Sequence, residues 1–279
     1  MPDHGAADEP KPTVDAAGEV IAGGWPNGDV VRLGTVDSTN RYVLDAVAAG
    51  RDGGFVTVCD HQRAGRGRRG RVWSDPPGGS LLCSVLFRPR LEPDHFGLLT
   101  LLVANATIEA IETVTGVHAT AKWPNDVLIG ERKVAGILAE VGRPASDGAI
   151  PVVVGVGVNI SAPPGWLDGT IGDDGLPIRA RATTLEEATG IAPSRDELLD
   201  ALLAALARRC GREPTSAVVV PTVTEMRQRC STIGRAVRID EASGSREGFA
   251  TGITDTGRLE VEIDGRTVTV DAADVTHLR

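Results

Sequence analysis

Seven residues, Gly65-Arg66-Gly67-Arg68-Arg69-Gly70-Arg71, constrain this chain more than any other stretch. They crowd four guanidinium groups into a 279-residue protein whose formal net charge is -9. Guanidiniums held this close repel one another, so the run is expected either to stay disordered in water or to close over an anion that satisfies its donors. Its glycines let the backbone approach that anion. The spelling also matches G-x-G-x-x-G, the dinucleotide fingerprint, which needs a strand before it and a helix directly after it. Phe55 to Cys59 supplies the strand. The helix is excluded, because Val72-Trp73-Ser74-Asp75-Pro76-Pro77-Gly78-Gly79 delivers two prolines and two glycines at once. Ser80 to Phe87 reads as a buried strand, so the run is a loop between two strands.

An arginine-rich nucleic-acid arm is the competing reading. The acidic balance argues against it, and no aromatic residues interleave with the arginines. Cys59, Cys83, Cys210 and Cys230 are scattered, with no C-x-x-C pair and no histidine at metal spacing, which points to reduced core thiols and against a structural zinc. No apolar run approaches the ~18 residues of a spanning helix. The first residues lack a basic-then-apolar signal pattern. These features predict a cytoplasmic protein with no membrane partner.

Residues 1–29 mix Pro, Gly, Asp and Ala and are expected to form a flexible tail. Val30 to Leu33 predicts a strand. Asp37-Ser38-Thr39-Asn40 supplies N-cap candidates for a helix running to Ala49, and capping alone would account for Ser38, Thr39 and Asn40. Asp94 to Thr115 carries the longest helical pattern, with Gly116 stopping it. Val117 to Lys122 predicts a strand leading into Lys122-Trp123-Pro124-Asn125-Asp126, and a hairpin follows, Val127 to Ile129 against Lys133 to Val141. Pro151 to Ile160 alternates, placing Val152, Val154, Val156 and Val158 on one face and Gly155, Gly157 and Asn159 on the other. A face stripped to glycines either receives a flat ligand or packs closely against a helix. Ser161 to Arg179 predicts a long mobile loop, a candidate lid. Three helices are expected after it: Thr183 to Thr189, one opened by the capping box Ser194 to Glu197, and a short one at Glu225 to Cys230. From Thr232 short strands alternate with turns: Val237 to Ile239, Arg246 to Gly252, Leu259 to Ile263 and Thr267 to Val270.

The fold class is therefore α+β: a central mixed or antiparallel sheet flanked by helices over 30–231, then a small SH3-like β-barrel over 232–279. Several unusual stretches fall at the ends and turns of the one sheet. Asp37-Ser38-Thr39-Asn40, His61-Gln62-Arg63-Ala64 with the arginine run, Lys122-Trp123-Pro124-Asn125-Asp126-Val127, Arg132-Lys133-Val134-Ala135-Gly136-Ile137-Leu138 and Gly155-Val156-Gly157-Val158-Asn159 together resemble the biotin–protein ligases. The joint occurrence is specific, and it covers about residues 30–279.

The resemblance implies a catalytic core like that of class II aminoacyl-tRNA synthetases. The reaction it implies makes biotinyl-5'-AMP from ATP and biotin with Mg2+, then transfers biotin to a lysine of a biotin carboxyl carrier domain. It places Lys133, Arg66, Arg68 and Asp126 at the chemistry. Ser38, Thr39, Asn40, Gln62, Gly65, Arg66, Gly67, Arg68, Lys133, Gly136 and Ile137 would surround biotin. Arg66, Arg68, Arg69, Arg71, Trp73, Lys122, Asn125, Lys133 and Asn159 would surround ATP. Asp126 keeps two readings, a carboxylate for Mg2+ or the incoming lysine, or a turn residue paired with Lys122. Arg69 and Arg71 either grip pyrophosphate or ion-pair at the surface. The stretch before Val30 is too short for the winged helix of many bacterial relatives, so the expectation is a ligase without sequence-specific DNA binding. The resemblance allows a homodimer through a sheet edge. A lipoate-type ligase of similar fold is the rival enzyme.

Overall fold

The computed structural model describes residues 19–21, 28–51, 54–76, 78–145, 148–172, 175–211, 213–241, 244–271 and 273–278. The chain runs β1 (Glu19–Ile21), β2 (Asp29–Val36), α1 (Thr39–Ala48), β3 (Phe55–Gln62), β4 (Ser80–Phe87), α2 (Gly97–Thr115), β5 (Thr120–Lys122), β6 (Asp126–Ile129), β7 (Arg132–Val141) and β8 (Val152–Asn159). Helices follow: α3 (Trp166–Gly169), α4 (Leu185–Thr189), α5 (Arg195–Arg209) and α6 (Ser216–Arg229). The chain ends in β9 (Ala236–Glu241), β10 (Gly244–Ile253), β11 (Leu259–Ile263), β12 (Arg266–Val270) and β13 (Asp274–His277).

The first eight strands form one sheet in the order β1-β2-β3-β4-β8-β7-β6-β5, antiparallel except for the parallel β2/β3 pair. Period-two patterning divides its faces. Leu81, Cys83, Val85 and Phe87 of β4 and Val152, Val154, Val156 and Val158 of β8 pack beneath α2, while Leu82, Leu86 and Val153 join Val43 of α1 on the opposite face. Helix α2 is apolar nearly all round because α5 and α6 cover the side turned away from the sheet. Pro93–Thr115 is in fact long and apolar enough to cross a membrane, contrary to the sequence expectation, yet it is the core helix and 67% of its apolar 18-residue window is buried in protein.

Other differences have local causes. The expected tail is interrupted, since Glu19–Ile21 pair antiparallel with Val30–Arg32; the rest of residues 1–27 lies outside the described residues. Helix α6 begins nine residues before the predicted Glu225, despite Pro221 in its interior. Val219, Thr222, Val223 and Met226 recur at i, i+3, i+4 and i+7 and are buried, so packing on α2 outweighs the proline penalty. The predicted loop 161–179 contains α3, a 3-10 turn at Ile178–Ala180 and a bridge between Ile171 and Pro177. The C-terminal sheet, β12-β11-β10-β9-β13, is antiparallel throughout and SH3-like, with β13 added to the four predicted strands.

Candidate active site

The α1 face of the sheet carries the unusual residues. Gly136 and Gly157 sit directly opposite each other in the β7/β8 pair. A Cβ on Gly157 would lie 2.7 Å from the Trp73 indole, and one on Gly136 would lie 2.9 Å from the same ring. A Cβ on Gly155 would lie 2.5 Å from Asn40 Oδ1. The flat group on the glycine floor is thus the protein's own Trp73, and the remaining gap is filled by α1 through Asn40. The indole lies over backbone because the floor offers it no side chains.

Lys133 reaches this face through a β-bulge. Leu128 pairs with Lys133 and Val127 with Ala135, so Val134 is an extra residue in β7. Strict alternation would have put Lys133 on the face opposite Gly136; the bulge turns it over, and its Nζ would meet a Gly136 Cβ at 3.0 Å. Nζ lies 2.6 Å from Asp126 Oδ1 and 5.4 Å from the centroid of the Trp73 ring. Of the two readings of Asp126, pairing with Lys122 is not what its carboxylate does. Asp126 and Lys122 are backbone partners across β5/β6, and the side-chain ion pair is with Lys133.

The electrostatics favour an anion. Burial pulls Lys122 below the ordinary lysine range; Asp126 opposes the shift, while Lys133 and Arg71 add to it. Burial likewise lowers Arg68, against Asp274 and Asp126 and with help from Arg69 and Arg71. Cations removed from water next to other cations gain most from a polyanion arriving among them.

The arginine loop is neither disordered nor dependent on a ligand for its counter-charge, which corrects the sequence expectation. Its neck is closed by Trp73 N–H to Gly65 O (3.0 Å) and Gly67 N–H to Arg71 O (2.7 Å), and a Cβ on Gly65 would strike Trp73 O at 2.5 Å. Arg69 holds a left-handed φ of 55° in the turn. Arg66 pairs with Glu140 at 3.0 Å, Arg68 donates to Ala273 O at 3.2 Å, Arg69 donates to Asp240 O, and Arg71 pairs with Asp274 at 2.5 Å. Protein carboxylates and carbonyls from β7 and the C-terminal sheet therefore pre-shape the loop. A cavity of about 740 Å³ is lined by residues 63–72 together with Leu138 and Glu140.

Next to the loop lies a buried polar cluster. Ser38 occupies the N-cap position of α1 but makes no side-chain capping bond. Gln62 Oε1 instead accepts from Thr39 N–H at 2.8 Å and lies 3.2 Å from Thr39 Oγ1. Ser84 Oγ lies 2.7 Å from Thr39 Oγ1 and 2.6 Å from Asn40 Oδ1. Asn40 Nδ2 donates to Leu138 O and to Glu140 Oε2, at 3.0 and 2.8 Å. Capping therefore does not account for these three residues.

Other expected site residues are placed differently. The side chain of Ile137 is 1% exposed in the core beneath α2, on the face opposite Gly136, so on the Gly136 face only its backbone is presented. Strand alternation forces this, because neighbours point to opposite faces. Asn125 braces the backbone of Ile137, with Nδ2 donating to Ile137 O at 2.8 Å. Asn159 Nδ2 donates to Thr183 O at 3.1 Å. Two residues escaped the sequence reading, Ser84 and Glu140. Each was marked by a polar side chain at a period-two position on the site face of its strand.

Among the described residues no group of three His, Cys, Asp or Glu side chains could hold a metal. A single carboxylate such as Asp126 suits a magnesium ion that arrives on substrate phosphates rather than one caged by protein.

Comparison with known proteins adds four findings. Residues 33–159 match the biotin/lipoate A/B protein ligase family and residues 232–278 the biotin protein ligase C terminal domain. The chain is 36% identical over 266 residues to a biotin–[acetyl-CoA-carboxylase] ligase of Mycobacterium tuberculosis, covering 92% of this chain and 91% of that one. It is 31% identical to the enzyme of that name from Paracoccus denitrificans, covering 87% and 98%. A biotin protein ligase from Aquifex aeolicus solved with biotin and ATP superposes with a TM-score of 0.71 at 26% identity, covering 90% of this chain and 98% of that one.

Proposed function

This chain belongs to the biotin protein ligase family, and from that premise we propose how its own residues carry out the reaction. The protein is a biotin–[acetyl-CoA-carboxylase] ligase that uses ATP and biotin. The biotin carboxylate attacks the α-phosphorus of ATP, forming biotinyl-5'-AMP and releasing pyrophosphate. A lysine amine of a carboxyl carrier domain then attacks the acyl carbon, and AMP leaves.

Both reactants of the first step are anions, so cations must sit where their charges meet. Lys133 fills that position by this reading. It stands on a strand, is turned to the site by the Val134 bulge, and is held by Asp126 and the Trp73 ring. Arg66 and Arg68 neutralise carboxylate and phosphate from the loop, with Lys122, Arg69 and Arg71 raising the positive potential around them. Trp73 offers a ring face to the adenine, with Asn125 and Asn159 bracing the backbone beside it. Ser38, Thr39, Asn40 and Gln62, with Gly65, Gly67 and Gly136, form the end that takes the uncharged bicyclic ring. A magnesium ion bound to the triphosphate would find Asp126 and would help neutralise it.

The observation that carries this reading is that Lys133, Asp126, Trp73 and the arginine loop converge on one face of one sheet. Biotin-dependent exchange of labelled pyrophosphate into ATP tests it. Exchange indifferent to biotin, or driven by lipoate instead, would overturn the assignment.

A further inference from the structure

The Glu140 carboxylate is shared between two donors on different elements. Its Oε2 accepts from Asn40 Nδ2 of α1 at 2.8 Å, and its Oε1 pairs with Arg66 Nη1 of the loop at 3.0 Å. Asn40 cannot shift on its own. Its Oδ1 faces Ser84 Oγ, and Nδ2 spends its second hydrogen on Leu138 O. Ser84 contacts Thr39, and Thr39 contacts Gln62, which ends β3 three residues before Gly65. Side-chain bonds thus run Gln62, Thr39, Ser84, Asn40, Glu140, Arg66, and the backbone from 62 to 66 closes the ring. The entry to the loop and its first arginine are fixed by the same cluster.

We propose that Glu140 is a positioning residue that ties Arg66, which meets the biotin carboxylate, to Asn40 at the ring end of the same site, and so governs biotin affinity more than ATP affinity. The inference rests on the ligase reading given above. A carboxylate is required because both neighbours are donors. Glutamine in its place would keep one acceptor oxygen and turn an N–H group toward the other donor, breaking half of the bridge with little change in shape. The carboxylate is mostly screened from water, at 23% exposure, and shared at both oxygens, unlike a surface ion pair of negligible consequence.

The test uses the full chain with biotin, ATP and pyrophosphate exchange. Glu140→Gln is expected to raise the KM for biotin about tenfold, leave the KM for ATP within about twofold, and leave the melting temperature unchanged. The effects of Asn40→Ala and Arg66→Ala on biotin affinity should be non-additive in the native background and additive when Glu140→Gln is present. An unshifted biotin KM, equal rises for both substrates, or coupling that survives Glu140→Gln would overturn the proposal. Should Glu140→Gln fail to fold, Glu140→Asp keeps both acceptors but withdraws them by one methylene, and an unchanged biotin KM there refutes the proposal equally. Absence of biotin-dependent exchange in the unmodified protein would sink the ligase reading itself, whereas exchange with an unshifted variant sinks only the role of Glu140.

Discussion

Lys133 meets Asp126 at 2.6 Å on the Gly136 face because, where they pair, β7 sets one more residue against β6 than β6 sets against it. Val134 is that residue, and it turns a lysine that simple alternation would direct into the core toward the cations and glycines of the site. An ammonium placed by a bulge between two regular pairings has little freedom to wander, which is what stabilising a developing charge requires.

Replacing Lys133 by alanine should therefore remove adenylation while the fold persists. We expect a loss of about 10³-fold in biotin-dependent pyrophosphate exchange with an unchanged circular dichroism spectrum, the magnitude of losing a preorganised charge. Near-native exchange in Lys133→Ala would take this amine out of the chemistry.

Gly157→Ala probes the floor beneath Trp73. The added Cβ would sit 2.7 Å from the indole, closer than packed atoms tolerate, so ring or strand must move. We expect destabilisation of about 1–3 kcal/mol and a KM for ATP that rises more than that for biotin. Tryptophan emission should shift as the indole is displaced. An equal rise in both KM values would argue against the ring serving the nucleotide.

Ile137→Ala offers a contrast, because its side chain points into the core beneath α2, away from the Gly136 face. It should cost about 2–5 kcal/mol of stability as a buried large-to-small change, read as a lower denaturant midpoint. Both KM values should hold at a temperature where the variant is folded. A selective rise in biotin KM would place Ile137 back at the pocket.

What could be read in advance follows from which forces are local. The arginine loop was legible as a loop because Pro76, Pro77, Gly78 and Gly79 forbid a helix after it, and the two faces of β8 because alternation is intrinsic to a strand. The partners of the arginines were not legible, since Asp240 and Asp274 lie some 170 to 200 residues away in sequence. The bulge at Val134 leaves no local mark in Lys-Val-Ala-Gly, so the facing of Lys133 came only from the pairing with β6. Helix α6 was hidden by Pro221, whose cost is offset by contacts with α2 that no window of sequence contains. Ser84 and Glu140 were visible in principle, as polar side chains on the glycine-bearing face, but nothing local distinguishes them from solvated strand residues.

Arg68→Ala should weaken retention of the intermediate. Arg68 is drawn out of water between Asp274 and Asp126 and donates to Ala273 O, so its removal loosens the loop from the C-terminal sheet as well as removing a cation. Biotinyl-5'-AMP should leave about 10- to 100-fold faster, the cost of one charge-assisted contact. The released intermediate should label lysines of unrelated proteins. Tight retention in this variant would show that the loop holds the intermediate without Arg68.

His277 gives the protein a predicted sensitivity to mild acid. Burial depresses its pKa from 6.5 to about 4, and Lys122 and Arg235 add to the effect. Nε2 lies 3.1 Å from the hydroxyl of Thr232, which also accepts from Trp123 N–H, so the ring stands where the C-terminal sheet meets the Lys122-Trp123 stretch. A base whose folded pKa is lowered binds its proton more readily when unfolded, so acid favours unfolding. The contribution of His277 should be level above pH 6.5 and fall as pH drops from there toward about 4. Glu109 and Glu112, whose pKa values are lowered by arginine partners, lose their contribution only below the ordinary glutamate value of 4.5. The interval between 6.5 and 4.5 therefore lies above the range in which these glutamates act. His277→Gln should flatten the melting temperature across that interval, and a slope identical to that of the unmodified protein would mean that the acid sensitivity arises elsewhere.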